Sequence, residues 1–492
     1  MPALISILLA WLTGFLLIQI LDPVRNMQPR WAAVVFVAAL GAGIGIGLTS
    51  TIFLLLEVAG VATPAAIFGI DILLAAVLAR QWFRIRSSSE QFGSRRDTTP
   101  GFRWTWLLAA VFGIVLVIAW VRLLQMASAL PVGDWDAWAT WNLRAKFLAG
   151  PGGSWRYALS PLLNGTHTDY PLLLSAFIAR SWKAGGTVDA FAPIATALLF
   201  FAALLALLVS VVALLRGTAS ALLAGLVLLS TTSLLVWAPA QYADIPLAFY
   251  FLAATALVFL EPSVTARGHC ALLWAGVCAG LAAWTKNEGL VFLGCIIILF
   301  LASTLRMRGT AAGLARTAWL LAGTVPGVLL TIWLKFFLAP AADPLVNQGV
   351  SGLARLGDLS RYVDVAKAFL DNLLNLGSGV THPLILLAIL AIVLRWQVEE
   401  RYKLPVLIAT ATLVVMILSY CLAFLITTTD LTLMLQSTFD RLLLQIWPIF
   451  ILVFFVLLRS VVDVAQAPSQ STAVRTSPAV SGKRALAGKQ RR

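Results

Sequence analysis

The sequence predicts an all-α polytopic membrane protein, and three observations carry that prediction. Of 492 residues, 60% are hydrophobic and only 11% are charged, whereas soluble domains carry about a quarter charged residues. Thirteen apolar stretches, most of them about 17 to 25 residues long, match the length a helix needs to cross about 30 Å of hydrocarbon. Basic residues, finally, sort onto alternate connecting segments.

The predicted spans are 3–21, 31–56, 61–79, 104–126, 188–214, 219–238, 245–260, 270–285, 289–305, 317–338, 381–394, 404–426 and 442–458. No Lys or Arg precedes the first of them, so it lacks the basic n-region of a signal peptide and is expected to be a retained span. One alternate set of loops holds Arg25 and Arg30, the six arginines of 80–103, Arg216, Arg267, Arg306, Arg308, Arg316, Arg395, Arg401, Lys403 and seven cations from Arg459 onward. These are 23 of the 35 basic residues. The positive-inside rule assigns that set to the cytoplasm, with the N-terminus outside and the C-terminus inside. This explains the net charge of +14 without a nucleic-acid partner. Twelve of the 21 acidic residues fall on the other set of segments, so the chemistry is expected outside. Three regions follow: a three-span segment with a basic loop (1–103), a main transmembrane domain (104–458) with long outer loops 127–187 and 339–380, and a basic, disordered tail (459–492) able to touch anionic lipid.

Several features carry little weight. Cys270, Cys278, Cys295 and Cys421 lie in or beside apolar runs with no CxxC spacing, which indicates neither disulfides nor zinc. Gly41, Gly43, Gly45 and Gly47 follow no strand and lie within a span, so they are expected to pack helices closely, not to cradle a nucleotide. The sequon Asn164-Gly165-Thr166 is too common a tripeptide to count.

The first outer loop opens Gly133-Asp134-Trp135-Asp136-Ala137-Trp138-Ala139-Thr140-Trp141-Asn142. Trp138, Trp141, Ala145 and Leu148 share one helical face, with Arg144 and Lys146 off it, which predicts an interfacial helix with its tryptophans at headgroup depth. Asp136 at its start is either an N-cap or a functional acid. His167-Thr168-Asp169-Tyr170-Pro171, Gln241-Tyr242-Ala243-Asp244 and Trp284-Thr285-Lys286-Asn287-Glu288 all lie at outer ends of spans, where charges are costly unless paired or used. Lys286 and Glu288 could neutralise each other. Arg441, opening the final span on the same side, could pair with Asp440 or grip a phosphate by forked hydrogen bonds.

An enzyme outside the cytoplasmic membrane has no pool of nucleotide sugars or ATP, so it must draw its activated group from a lipid carrier, and a polyprenyl-phosphate sugar meets that constraint. Transfer needs a carboxylate base, cations for the leaving phosphate and an apolar groove for the prenyl chain. Asp136 or Asp134 can be the base, and Lys286, Arg441 and Arg144 are the candidate phosphate ligands. Trp135, Trp138, Trp141, His167, Asp169, Tyr170, Tyr242, Asp244, Asn287 and Glu288 are candidates for binding substrate, the aromatics by stacking on sugar faces.

Over residues 104–458 these motifs resemble the bacterial GT-C membrane glycosyltransferases, relatives of protein mannosyltransferases and lipid A aminoarabinose transferases. The resemblance implies a GT-C-like fold in the bacterial inner (plasma) membrane and a polyprenyl-phosphate-sugar donor. The acceptor would be a glycan, lipid or protein, and the catalytic aspartate would lie in the first outer loop, here Asp136 with Asp134 as its rival. The better-studied members commonly show adjacent acids in this loop, whereas Trp135 intervenes here; no cofactor is fixed, and a divalent metal stays open. A transporter or lipid flippase is the alternative, but such proteins tend to place charge at mid-membrane and to show internal repeats, and neither is found.

Overall fold

A computed structural model describes residues 1–87, 105–163, 166–264, 267–339 and 349–466. Most of the basic loop 80–103, the Asn164-Gly165 part of the sequon, the beginning of 339–380 and the tail beyond 466 lie outside the described residues. The principal helices are α1 (Pro2–Ile20), α2 (Arg30–Val58), α3 (Pro64–Ser87), α4 (Thr105–Ala129), α5 (Asn142–Ala149), α6 (Leu173–Gly185), α7 (Phe191–Arg216), α8 (Thr218–Leu229), α9 (Thr232–Trp237), α10 (Asp244–Leu260), α11 (Gly268–Ala283), α12 (Asn287–Arg308), α13 (Thr310–Trp333), α14 (Leu359–Leu374), α15 (Pro383–Leu394), α16 (Lys403–Ile426) and α17 (Leu431–Leu457). Among the described residues ten helices are long and apolar enough to cross a membrane, or eleven if α8 and α9 form one bent span; α11 and α15 are shorter. No sheet forms among the described residues, only an isolated bridge between Trp396 and Leu458. This is the architecture of an all-α polytopic membrane protein, whose backbone groups are satisfied within each helix.

Two boundaries differ from the sequence reading for identifiable reasons. The stretch 219–238 bends by 69° at Ser230-Thr231-Thr232-Ser233, where Ser230 and Thr231 both donate to the Val227 carbonyl. Consecutive hydroxyl side chains offer the backbone an alternative to the helix ladder. The last helix begins at Leu431, not at residue 442, because Asp430 caps it by accepting from the Leu433 amide. Arg441 therefore lies about three turns inside a helix rather than at its start.

Small residues set the closest contacts. Gly41 and Gly45 of α2 lie against the backbone of α1, where an added Cβ would strike Phe15 and the Ala10 carbonyl, while Gly43 and Gly47 face Phe249 and Leu281. A second backbone contact joins α11 and α13 through Gly276, Gly280, Gly323 and Gly327, a GxxxG spacing on both helices. The apolar residues of α1–α3 and of the later helices form one continuous core.

The connecting segments sort to opposite ends of the bundle. At one end Arg216 pairs with Glu399 at 2.6 Å, Arg308 lies 3.7 Å from Glu261, Arg316 also pairs with Glu261, Arg267 donates to the Asp22 carbonyl, and the Arg459 amide bonds the Arg395 carbonyl. The motifs of the acidic loops meet at the other.

The interfacial reading of the first tryptophan helix is corrected. Of the predicted face, Trp141, Ala145 and Leu148 are buried, because α5 packs between α6 and the turn Ser154–Leu159; only Trp138 of that set is exposed. An amphipathic helix does occur in the loop 339–380. It is α14, whose Arg361 is buried and donates to the Phe424, Leu425 and Thr427 carbonyls at the end of α16, while Leu359, Val363, Leu370 and Leu374 are exposed on one face suited to lipid.

Candidate functional site

The turn after α4 is locked to the turn before α10. Gly133 has φ +76°, and a Cβ there would strike Ala137 and Ala240. The Asp134 amide donates to the Ala240 carbonyl at 3.1 Å, and Asn142 bonds Gln241 Oε1 at 2.9 Å and the Val132 carbonyl at 3.2 Å. Gln241, itself left-handed at φ +64°, donates back to the Leu130 and Pro131 carbonyls. This reciprocal docking brings the first loop within reach of Tyr242 and Asp244.

The two acids of that loop then divide. The exposed Asp134 receives the amides of Ala137 and Trp138 on its carbonyl oxygen and the Trp135 amide on its side chain, at 2.7 Å. It performs the capping. Asp136 is already helical, its side chain caps nothing, and it instead accepts from Arg441 Nη1 at 2.5 Å. The N-cap reading of Asp136 is thereby set aside.

Around Arg441 lies a network of charges drawn from four segments. Asp244, 2% exposed, opens α10. It receives Lys286 Nζ at 3.0 Å and Gln445 Nε2 at 2.5 Å on one oxygen, while Arg441 Nη1 stands 3.6 Å from the other. Lys286 also reaches Glu288 at 2.9 Å. Burial works against the Lys286 ammonium, but Asp244 and Glu288 outweigh it and hold the pKa above the usual lysine range. Arg441 does not pair with Asp440 through its side chain; Asp440 accepts from Trp237 Nε1 at 2.6 Å. The Arg441 guanidinium lies over the rings of Tyr242 and Trp237, at 4.7 and 5.4 Å. Burial pushes the Tyr242 hydroxyl up to about 12, so it remains a donor at neutral pH.

Beside the charges stands an aromatic stack. The His167 ring lies on Tyr170 at 4.6 Å, and Tyr170 on Trp141 at 5.7 Å. Lys286 approaches Tyr170 at 6.0 Å. Asp169 is buried, accepts from Asn287 Nδ2 at 2.6 Å and lies 3.5 Å from Lys335. Trp135 and Trp138 stay exposed, 63% and 47%, and meet edge to face.

One candidate changes role. Arg144 is fully buried, and its guanidinium is spent on the carbonyls of Ala158 and Tyr170, at 3.2 and 2.7 Å. It pins the loop that presents the aromatic stack; burial lowers its pKa to about 10. The structure brings Asp136, Tyr242, Asp244, Lys286, Glu288 and Arg441 together, with His167, Asp169, Tyr170, Trp141 and Asn287 adjoining. Sequence reasoning missed Gln445, Tyr420, Trp237 and Lys335. Gln445 is held by the Tyr420 hydroxyl at 2.7 Å, and its signal was available: a lone amide four residues after Arg441, within an apolar run. Among the described residues no three His, Cys, Asp or Glu side chains converge on a metal position.

No family model, curated protein or solved structure matches this chain.

Proposed function

We propose that this protein is a membrane glycosyltransferase of the GT-C kind, transferring a sugar from a polyprenyl-phosphate donor to a hydroxyl-bearing acceptor on the non-cytoplasmic face. The observation that carries this reading is the buried carboxylate Asp244, which holds Lys286 and Arg441 together while Arg441 also holds Asp136. Two cations and a solvent-reaching acid thus sit side by side at one end of an apolar bundle, as attack on a lipid-linked phosphoester requires.

In the proposed reaction the acceptor hydroxyl oxygen attacks the anomeric carbon, and Asp136 takes the hydroxyl proton. The bond between that carbon and the phosphate oxygen breaks, its electrons staying on the phosphate that Lys286 and Arg441 bind. Both cations are presently satisfied by carboxylates. The donor phosphate therefore takes the places held by Asp136 on Arg441 and by Glu288 on Lys286. Asp136 is released as a base only when donor is present, which couples base activation to donor binding. The outer face of the exposed His167, at the end of the ring stack, and the exposed Trp135 and Trp138 offer surfaces for sugar rings.

Replacing Lys286 or Arg441 by Met is expected to weaken donor binding about ten- to a hundredfold, since a hydrogen bond to a charged group contributes about 1.5–3 kcal/mol. Acceptor affinity should change little. Titration of each purified variant with polyprenyl phosphate checks this, and unchanged donor affinity in both would remove the phosphate role.

The proposed orientation follows from the basic loops gathering at the opposite end. A cysteine introduced at Ser154 is expected to react with an impermeant thiol reagent in intact spheroplasts. Labelling only after membrane permeabilisation would reverse the topology.

A further inference from the structure

At the end of the bundle away from Asp136, a cavity of about 680 Å³ opens between α11, α12, α13 and the turn before α16. Its polar wall carries three guanidinium groups, Arg308, Arg316 and Arg401, against the carboxylates Glu261 and Glu400. Glu400 is occupied by Lys403 at 2.6 Å, and Glu261, 6% exposed, is shared by Arg316 and Arg308. Arg401 is held by Glu399 at 2.8 Å, a carboxylate shared with Arg216; five cations thus meet three carboxylates, and Arg316 Nε has no acceptor among the described residues. The other wall is apolar, with Trp319 half exposed and stacked at a tilt on His269 at 5.3 Å.

Trp319, in the cavity wall, heads a partly exposed apolar stripe of α13. Below Trp319, Ala322, Pro326, Leu330 and Trp333 of α13 follow at i+3, i+7, i+11 and i+14, a single stripe along the helix whose first two residues are exposed and last two half-buried. A ligand seated among the arginines would lay an apolar tail along that stripe. We infer that this cavity is a binding site for an anionic phospholipid, its phosphate held by Arg308, Arg316 and Arg401 and its acyl chain running down α13. Forked guanidinium groups suit phosphate oxygens, and basic pockets between spanning helices take acidic headgroups. A volume of this size far exceeds what one inorganic phosphate fills, which favours the lipid. The site is separate from the Asp136 cluster and does not depend on the glycosyl-transfer reading.

The test uses the full-length protein, purified and delipidated in neutral detergent, with thermal unfolding followed on titration with phosphatidylglycerol, phosphatidylcholine or inorganic phosphate. Phosphatidylglycerol alone is expected to raise the Tm, and Arg308→Gln with Arg316→Gln should weaken that response by about tenfold in lipid concentration. Equal stabilisation by both lipids, or full retention of the response in the double variant, would overturn the site. Equal stabilisation by inorganic phosphate would replace the lipid by a free anion. Should the double variant fail to fold, Arg401→Gln, at a half-exposed side chain, decides: undiminished phosphatidylglycerol affinity there refutes the proposal.

Discussion

Asp136→Asn is expected to lower turnover by about 10² to 10⁴, the range that general-base catalysis contributes, while leaving a folded, donor-binding protein. The amide keeps the volume of the carboxylate and its oxygen can still accept from Arg441, so the local structure has no reason to change; only the proton acceptor is lost. Asp134→Asn should have the milder effect, because Asp134 caps the turn mainly through its backbone carbonyl and only its side-chain bond to the Trp135 amide is altered. Initial rates of both variants with a polyprenyl-phosphate sugar, under saturating donor, separate the two acids. Near-normal turnover in Asp136→Asn, or a deeper defect in Asp134→Asn, would transfer the role or remove it.

Asp244→Asn should destabilise the protein by about 3–5 kcal/mol, as removing one partner from a buried ion pair leaves its counter-charges unmatched. Here the effect falls at the upper side of that range, because one carboxylate serves both Lys286 and Arg441. Adding Lys286→Met to Asp244→Asn removes one of the two cations that Asp244 serves and should recover part of the loss, while Arg441 retains Asp136. Thermal unfolding of the three variants in one detergent gives the cycle. A single variant as stable as the parent would mean that the cations are held by Glu288 and Asp136 alone.

Much of this was legible from one dimension. The apolar stretches fall on helices, since span length is set by hydrocarbon thickness and by 1.5 Å of rise per residue. The motifs around Asp136, Tyr242, Asp244 and Lys286 stood out because charge is costly beside lipid, and they do converge. Where the reading went astray, the cause lay in the partners. Trp141 has the spacing of one face of an interfacial helix and Arg144 lies off that face, yet α6 and the turn Ser154–Leu159 bury both. Periodicity defines a face without saying what covers it.

By itself, then, the sequence determined the all-α membrane class, the general course of the apolar spans and the sorting of basic and acidic loops, because these depend on local composition and on the solvent. Tertiary structure decided which charges meet. The 305-residue separation between Asp136 and Arg441, the assignment of capping to Asp134 and the diversion of Arg144 to backbone carbonyls arise from the docking of one turn on another. Such contacts depend on distance in space, which neither span length nor helical periodicity encodes.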